Sequence, residues 1–265
     1  IQRCLSIRKF LSQKVLWFID PNSKKIKNFL CNKDDVIEEI YDDSHNECIN
    51  FLMKDNDAIL IIDVKKIVPS KFSNFEERIF IISDELISNP YRGCKLINMQ
   101  PTLKSNNLFL SGPKYLAFST KNKKQKFKNF NRVSYPYNFL VSFGTRDSKN
   151  YTELLLNLIL NDPELKKKLN IICLIGNSFE NKKRIIKKFS KITSITLLEN
   201  YQSLLDLKVT CNFAIGAPGI SHAERLYMGI ATILLPQNKI HKQIIKGWEN
   251  LGCTIGSSLN KKVII

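Results

Sequence analysis

The chain has 265 residues, of which 43% are hydrophobic and 25% charged, a composition of globular rather than fibrous or disordered proteins. That length suffices for one large domain or two modest ones. The 41 Lys and Arg residues against 24 Asp and Glu residues give a net charge of +17. No recognition motif accompanies that charge, and Lys, Asn and Ile are abundant throughout, so we attribute much of it to codon bias and predict no nucleic-acid partner.

The first half of the chain alternates predicted helices and strands, the pattern of a doubly wound parallel sheet. Residues 1–14 predict a helix in progress, because their apolar side chains fall near one face. A strand and a loop normally precede such a helix, so we predict that the first strand is missing and that residues are missing at both ends. The next predicted elements are strands at 15–19, 58–62, 79–82, 95–98 and 108–110, and helices at 34–39 and 48–54.

The second half restarts the alternation after a basic segment that begins with KNKKQKFK at Lys121. We predict a linker over residues 121–136, with electrostatic capture of an anionic ligand as the alternative. It separates two Rossmann-like lobes, residues 1–120 and 137–265, and the cleft between two lobes is the usual place for a ligand. The second lobe has predicted strands at 139–143, 171–175, 195–198, 213–215 and 231–235, and helices at 151–160, 201–207 and 221–228.

Cysteine and histidine usage predicts a reducing compartment and no metal site. The seven cysteines are scattered, odd in number and without a CxxC pair, and the three histidines lack HExxH spacing. No apolar run approaches the ~20 residues that cross a bilayer, and no signal peptide is visible. We predict a cytoplasmic protein without a membrane partner, metal or cofactor, and favour a monomer while leaving the oligomeric state open.

Two glycine loops in the second half predict an anion site. Each follows a predicted buried strand and precedes a helix, where free N–H groups and the helix dipole favour a phosphate, at the edge where open α/β sheets bind ligands. One such loop is weak evidence, because tight turns need glycine anyway. Arg146 adds a cation that can pair with phosphate. The candidate residues are Gly144, Thr145, Arg146, Asp147, Gly216, Ala217, Pro218 and Gly219, with Gly176 at the end of a third strand.

The helix after the second loop carries Ser221 and Glu224, whose spacing fits a capping box. A carboxylate one turn into a phosphate-binding helix can instead accept hydrogen bonds from ribose hydroxyls, and both interpretations stay open. We expect His222 to be a surface or loop histidine, with catalysis as the less favoured alternative. Arg225 is expected on a solvated helix face.

Three polar residues at strand ends are weaker candidates. Asn238 follows Pro236 on a loop that can face the cleft, where its amide can orient a sugar or a water; the alternative is a turn residue. Asp63 and Asp84 each follow a buried strand of the first lobe. They are either acid/base groups or polar strand ends.

Four segments resemble the pseudaminic-acid pathway nucleotide-sugar hydrolases and the related spore-coat polysaccharide proteins. Residues 200–238, NYQSLLDLKVTCNFAIGAPGISHAERLYMGIATILLPQN, resemble that family's N-x-x-x-L-(M/L)-x-x-A-D-x-A-I-G-A-G-G-S-x-x-x-E-R pattern. VSFGTRDSKNYT, LSGPKYLAF and IQRCLSI resemble three further family motifs. The resemblance runs over nearly the whole chain and is more specific in the second half.

The resemblance implies a two-lobed glycosyltransferase-B-like fold whose second lobe binds UDP. The implied reaction is hydrolysis of a UDP-linked diacetamido-trideoxy sugar by water attack at the anomeric carbon, without a metal. Residues 144–147 and 216–219 would hold the pyrophosphate, Glu224 would contact the ribose, and Asn238 the sugar or the reacting centre. A glycosyltransferase of the same fold and a UDP-sugar-binding protein without catalysis are the alternatives.

The chain also departs from the family pattern. The family's proposed catalytic histidine lies immediately before the position that matches Ile1, and the tyrosine two residues after Asp63 is replaced by Lys65. Thr145 and Arg146 replace a loop glycine and serine, and Lys239 replaces a glutamine. UDP binding is therefore better supported than turnover.

Overall fold

A computed structural model divides the chain into two compact units, Ile1–Ser119 and Thr120–Ile265. Except for Tyr135 and Pro136, the predicted linker lies outside the described residues, as do Asp84, Val64 and Lys65. The structure describes residues 2–19, 35–40, 46–63, 72–83, 93–101, 107–116, 135–199, 201, 203–207 and 210–259.

The first unit begins with a short helix and a two-stranded parallel sheet. Helix α1 (Gln2–Arg8) precedes β1 (Leu16–Ile19), which pairs in parallel with β2 (Val36–Glu39). Arg8 at the end of α1 forms an ion pair with Asp35 at 2.7 Å, directly before β2. This pair ties the helix to the start of the second strand.

The predicted helix over residues 34–39 is wrong, because Val36–Glu39 forms β2. The run VIEE alternates exposed and half-buried side chains and pairs residue by residue with Leu16–Ile19. Helix propensity is a weak signal over so short a run, and the backbone hydrogen bonds that β1 offers outweigh it.

A second, four-stranded parallel sheet follows in the same unit, with strand order β3-β4-β5-β6. Its apolar strand residues, among them Ile79, Ile81 and Leu96, form a buried core with Leu52. The helix and the strands predicted here are confirmed, with ends shifted by one or two residues. The elements are α2 (Asn46–Lys54), β3 (Leu60–Ile62), β4 (Ile79–Ile82), β5 (Lys95–Asn98) and β6 (Phe109–Ser111), with 3-10 turns at Glu76–Arg78 and Pro113–Tyr115.

The second unit is a six-stranded parallel sheet with order β12-β11-β10-β7-β8-β9. Buried residues of α3 and β8, among them Leu155, Ile159 and Ile171, form its main core. The strands are β7 (Tyr137–Ser142), β8 (Leu169–Leu174), β9 (Ile195–Leu198), β10 (Phe213–Gly216), β11 (Ala231–Leu234) and β12 (Ile255–Gly256). The helices are α3 (Tyr151–Leu160), α4 (Pro163–Lys168), α5 (Lys182–Phe189), α6 (Ile220–Tyr227) and α7 (Lys239–Asn250).

The strand order of this sheet reverses between its two central strands. From β7 the chain builds outward through β8 and β9, then returns to place β10 on the other side of β7 and builds outward again. Open parallel sheets bind ligands outside the carboxyl ends of the strands at such a reversal. The carboxyl ends of β7 and β10 carry the two glycine loops.

Several elements of this unit differ from the sequence-based expectation. Among the described residues of the predicted helix at 201–207, only Leu204–Asp206 is helical, as a 3-10 turn, and α4, α5, α7 and β12 were not predicted. The signal for α7 lies in the sequence: Asn238 suits a helix N-cap, and Ile244, Ile245 and Trp248 recur at helical spacing and are buried. In the part of the chain that the structure describes, no helix is long and apolar enough to span a bilayer.

Candidate functional site

The N-terminus of α6 is open where it faces the carboxyl edge of the sheet. β10 ends at Gly216, and the N-cap residue Gly219, at φ +136°, has no side chain that could cap the helix. The N–H groups of His222 and Ala223 already bond to the Gly219 carbonyl oxygen. Those of Ile220 and Ser221 precede the first intrahelical bond, and both residues are half-exposed. Among the described residues, the N-cap residue of α6 thus provides no side-chain cap, and anions bind at helix ends of this kind in other proteins.

The first glycine loop differs, because its helix end is already occupied. The Asp147 carboxylate accepts hydrogen bonds from the N–H groups of Tyr151 at 2.9 Å and Thr152 at 2.7 Å, in the first turn of α3. Arg146 forms an exposed ion pair with Glu180 at 2.7 Å. A phosphate at this helix end would compete with a resident carboxylate, whereas the N-cap residue of α6 has no side chain.

The glycines of these loops permit close backbone contacts. A methyl group at Gly176 would overlap the carbonyl oxygens of Gly144 and Thr145, so Gly176 lets the segment after β8 lie directly against the first loop. A methyl group at Gly216 would overlap the carbonyl oxygen of Ser142 and lie 3.0 Å from Nη1 of Arg225. Both glycines are thus required by packing whatever the ligand.

Arg225 is buried, which corrects the expectation of a solvated side chain. Its Nη2 donates to the Ala217 carbonyl oxygen at 2.8 Å and its Nη1 to that of Ser142 at 3.4 Å. The guanidinium therefore ties the loop between β10 and α6 to the end of β7. Burial lowers the pKa of Arg225 to about 10, although the carboxylate of Glu224 opposes that shift. The guanidinium therefore remains charged near neutral pH. It anchors the loop between β10 and α6 through its bond to the Ala217 carbonyl oxygen.

Glu224 does not form the capping box that its spacing with Ser221 suggested. Gly219 is the N-cap, so Ser221 lies inside the first turn. The Glu224 carboxylate instead accepts hydrogen bonds from Oγ of Ser203 at 2.6 Å and from the N–H of Leu204 at 3.1 Å. It is 4% exposed and joins α6 to the 3-10 turn before β10.

Gln237, which was not singled out in the sequence, joins the loops on either side of the reversal point. Its Oε1 accepts hydrogen bonds from the N–H of Ser148 at 2.8 Å and from the Ser148 hydroxyl at 3.1 Å. Its Nε2 donates to the Phe143 carbonyl oxygen at 3.0 Å. A buried amide that is satisfied on both sides fixes the first loop against the segment after β11. The next residue, Asn238, is exposed and caps α7 through a bond from the His241 N–H at 2.8 Å.

Asp63, the weak catalytic candidate, lies in the first unit and forms an ion pair with Arg3. Its carboxylate accepts from Nη2 of Arg3 at 2.6 Å and lies 3.7 Å from the Cys4 thiol. Burial, and to a lesser extent this carboxylate, raise the pKa of Cys4 to about 11. Among the described residues, no group of three or more His, Cys, Asp or Glu side chains is arranged to hold a metal ion.

Comparisons with solved structures locate the fold. The spinosyn rhamnosyltransferase SpnG, with spinosyn aglycone, superposes with a TM-score of 0.58 at 12% identity over 96% of this chain and 81% of that chain. The glycotransferase of kitacinnamycin gives 0.59 at 10% identity, over 99% and 84%. A protein of Listeria monocytogenes described as a UDP-N-acetylglucosamine 2-epimerase gives 0.58 at 11% identity, over 98% and 80%. The chain has a glycosyltransferase-B-like fold.

Sequence comparison finds a curated relative that matches most of the chain. An uncharacterised protein of Methanocaldococcus jannaschii is 25% identical over 255 residues, covering 89% of this chain and 51% of that protein. The chain thus spans about half the length of this relative. No protein-family model matches the chain.

His222 lies in the core of the glycosyltransferase-B-like second unit, which corrects the expectation of a surface histidine. Its ring is fully buried and meets the Trp248 ring edge to face, with centroids 5.0 Å apart. Neither ring nitrogen has a hydrogen-bond partner among the described residues. Burial, and then the nearby Arg225 cation, lower the pKa of His222 from 6.5 to about 2. The ring is therefore neutral in the folded protein and is no candidate general acid near neutral pH.

The buried His222 is expected to make the protein sensitive to acid. The unfolded chain binds a proton at His222 below pH 6.5 and the folded chain does not, so stability present above that pH falls as the pH drops toward about 2. At pH 5 this one group costs about 2 kcal/mol of unfolding free energy. Denaturant unfolding from pH 8 to pH 5 should show a smaller loss for His222→Leu than for the unaltered chain. The half-exposed His241→Leu is the control, and an equal pH dependence in all three proteins would refute the assignment.

Proposed function

We propose that the second unit binds the diphosphate of a UDP-sugar at the N-terminus of α6. The observation that carries this proposal is the open, uncapped end of α6, which lies at the reversal point of a glycosyltransferase-B-like sheet. The N–H groups of Ile220 and Ser221, which precede the first intrahelical bond, and the helix dipole would supply the attraction for the diphosphate. Residues 216–219 form the floor of this site, and residues 144–147 with Gly176 form its neighbouring loop.

We also propose that Glu224 contacts the ribose, and the family resemblance supports this proposal. Each of its carboxylate oxygens already accepts one hydrogen bond, from Ser203 or from Leu204. In the proposed complex a ribose hydroxyl would be an additional donor to this carboxylate. The same hydrogen bonds join α6 to the turn at Ser203. A substitution of Glu224 should therefore change the stability of the fold as well as the affinity for UDP.

We propose sugar transfer from the nucleotide as the reaction class, in the synthesis of a surface glycan. The glycosyltransferase-B-like fold supports transfer at this general level. The resemblance of residues 141–152 and 200–238 supports the second candidate, hydrolysis of a UDP-linked diacetamido-trideoxy sugar for nonulosonic acid or spore-coat polysaccharide synthesis. In either reaction Asn238, at the start of α7, is the proposed contact to the sugar.

Substitution of Ser221 by Asp should separate ligand binding from helix stability. An added carboxylate in the first turn of α6 repels a diphosphate, so the affinity for UDP should fall at least about tenfold. The same carboxylate complements the helix dipole, so the melting temperature should stay level or rise slightly. Calorimetric titration with UDP and thermal melting measure the two effects.

The matched control for this experiment is Asn181→Asp, at the start of α5. Asn181 is the N-cap residue of α5 and, like Gly219 at α6, makes no side-chain cap hydrogen bond, but its helix follows β8 rather than β10. UDP affinity should be unchanged in this variant. Equal weakening in both variants would mean general repulsion, and no UDP binding by the unaltered chain would refute the nucleotide site.

Product analysis distinguishes the reactions once UDP binds. The chain is incubated with UDP-N-acetylglucosamine and with a UDP-diacetamido-trideoxy sugar, with and without sugar acceptors. Free sugar and UDP without an acceptor indicate hydrolysis, and a glycosylated acceptor indicates transfer. UDP binding without either product indicates a binding protein that lacks catalysis.

A further inference from the structure

The positive charge of the chain belongs almost entirely to the second unit. Residues 120–265 contain 24 Lys and Arg against 9 Asp and Glu, a net charge of +15, whereas residues 1–119 contain 17 against 15, a net charge of +2. A codon bias acts on the whole gene and would raise the lysine content of both units alike. The concentration of charge in one unit therefore requires an explanation in that unit.

Six lysines of this unit gather at the amino edge of the sheet, opposite the edge that carries the α6 site. Helix α4 ends at Lys168, directly before β8, and Lys191 lies in the turn from α5 to β9. The two turns are adjacent, because the N–H of Ile171 donates to the Ser194 carbonyl oxygen at 2.8 Å and neighbouring strands lie about 4.8 Å apart. The amino-edge lysine cluster consists of Lys166, Lys167, Lys168, Lys187, Lys188 and Lys191.

Most of this cluster is not neutralised by acids. Glu164 pairs with Lys168 at 3.2 Å, and Glu153 pairs with Lys188 at 3.5 Å. The other four lysines are exposed and form no ion pair with any described residue. Those four are Lys166, Lys167, Lys187 and Lys191.

Aromatic rings continue the same edge beside the lysines. Tyr135 is 60% exposed, packs on Tyr137 at 4.5 Å between ring centroids, and lies under the Lys168 ammonium at 5.7 Å. Phe213, the first residue of β10, is 37% exposed and meets the Tyr137 ring edge to face at 5.5 Å. Across neighbouring strands, the amino edge thus carries a row of side chains that changes from aromatic to basic. In sheet order these are Phe213, Tyr137, Lys168 and Lys191.

We propose that this amino edge docks the second unit on an anionic membrane surface. Clustered lysines are attracted to acidic headgroups, and tyrosine and phenylalanine rings settle at the level of those headgroups. Docking in this way leaves the opposite edge, with the N-terminus of α6, facing away from the lipid. The inference is independent of the proposed function and departs from the sequence-based expectation of no membrane partner.

A nucleic acid suits this surface less well. All six cations are lysines, whereas arginine provides the planar, bidentate contacts typical of nucleic-acid recognition. Base stacking needs an open ring face, but the Tyr137 ring is already flanked by Tyr135 and Phe213 at interplanar angles of 46° and 79°. Diffuse attraction to a headgroup layer requires neither feature.

The test is co-sedimentation of the full 265-residue chain with vesicles. Binding is expected to phosphatidylcholine vesicles in which about a third of the lipid is phosphatidylserine, and not to phosphatidylcholine alone. Binding should weaken strongly between about 0.1 M and about 0.5 M salt, because salt screens the attraction. The triple variant Lys166→Glu, Lys167→Glu and Lys187→Glu should lose at least about 100-fold in partitioning to the acidic vesicles.

A charge-matched control makes the test specific to the edge. Lys183→Glu, Lys242→Glu and Lys246→Glu alter three other exposed lysines of the same unit and should retain most of the binding. Equal loss in both triples would overturn the proposal in favour of unspecific attraction by net charge. Binding to a single-stranded RNA but not to acidic vesicles, or to neither, would also overturn it. The affinity of the cluster variant for UDP is measured separately. It tests the nucleotide site whatever the vesicle result, because the cluster lies at the opposite edge of the sheet.

Discussion

Gly216→Ala should be the most damaging small substitution in the second unit. The added methyl group would overlap the carbonyl oxygen of Ser142, which also accepts the Ala217 N–H at 3.1 Å in the contact between β7 and the loop. A backbone atom cannot move away without disturbing the pairing of β7 and β10. We expect a loss of about 3 kcal/mol or more in unfolding free energy, measured by denaturant unfolding.

Gly252→Ala is the control for this substitution. Gly252 has a positive φ of +67°, but a methyl group there meets nothing within 4 Å, so only backbone strain of about 1 kcal/mol is expected. The difference between the two variants measures the close approach of β10 to β7. If both lose about the same stability, the close packing at Gly216 is refuted.

Arg225→Met should produce the second large effect. The substitution leaves the Ala217 carbonyl oxygen without its buried donor and removes the cation beside the buried Glu224 carboxylate. Each buried carbonyl oxygen left without its donor typically costs about 1–3 kcal/mol, so the loss of both Arg225 bonds should cost about 3 kcal/mol. For a unit of this size that corresponds to a melting temperature lower by roughly 10 °C. UDP affinity should fall as well, because the loop before α6 loses its anchor.

A double-mutant cycle tests whether the carboxylate is part of this effect. Glu224→Gln alone should also destabilise, because its amide would present donors to Ser203 or Leu204, which already donate. In the double variant no buried carboxylate is left without its cation, so the two losses should overlap by at least about 1 kcal/mol. Additive losses would show that the two buried charges are independent.

The elements of both units were largely predictable from local patterns. Short apolar runs such as Ile79–Ile82 and Ile195–Leu198 are strands, and Tyr151–Leu160 is a helix with the predicted ends. The alternation of these elements predicted doubly wound parallel sheets, and the family resemblance implied the glycosyltransferase-B-like fold. The failures included Val36–Glu39, where a partner strand outweighs local propensity, and the twelve-residue helix α7.

The candidate site was predictable only in outline. The glycine loops can be recognised in the sequence, because a strand end followed by glycine and a helix is a local pattern. The difference between the two helix starts also rests on neighbouring residues: Asp147 bonds to N–H groups at the start of α3, whereas Gly219 has no side chain that could do so at α6. Gln237 gave no local signal, since its partners Phe143 and Ser148 lie some 90 residues earlier in the chain.

The sequence by itself determined most of the strands and the two glycine loops at strand ends, and so where an anion site is proposed. Only the tertiary structure decided the roles of the side chains on α6. His222, Glu224 and Arg225 are all polar and stand within four residues, yet each is buried against a different neighbour: Trp248, the turn at Ser203, and the end of β7. Burial, hydrogen bonding and pKa depend on those distant neighbours, because the field and the solvent at a side chain are set by what packs around it.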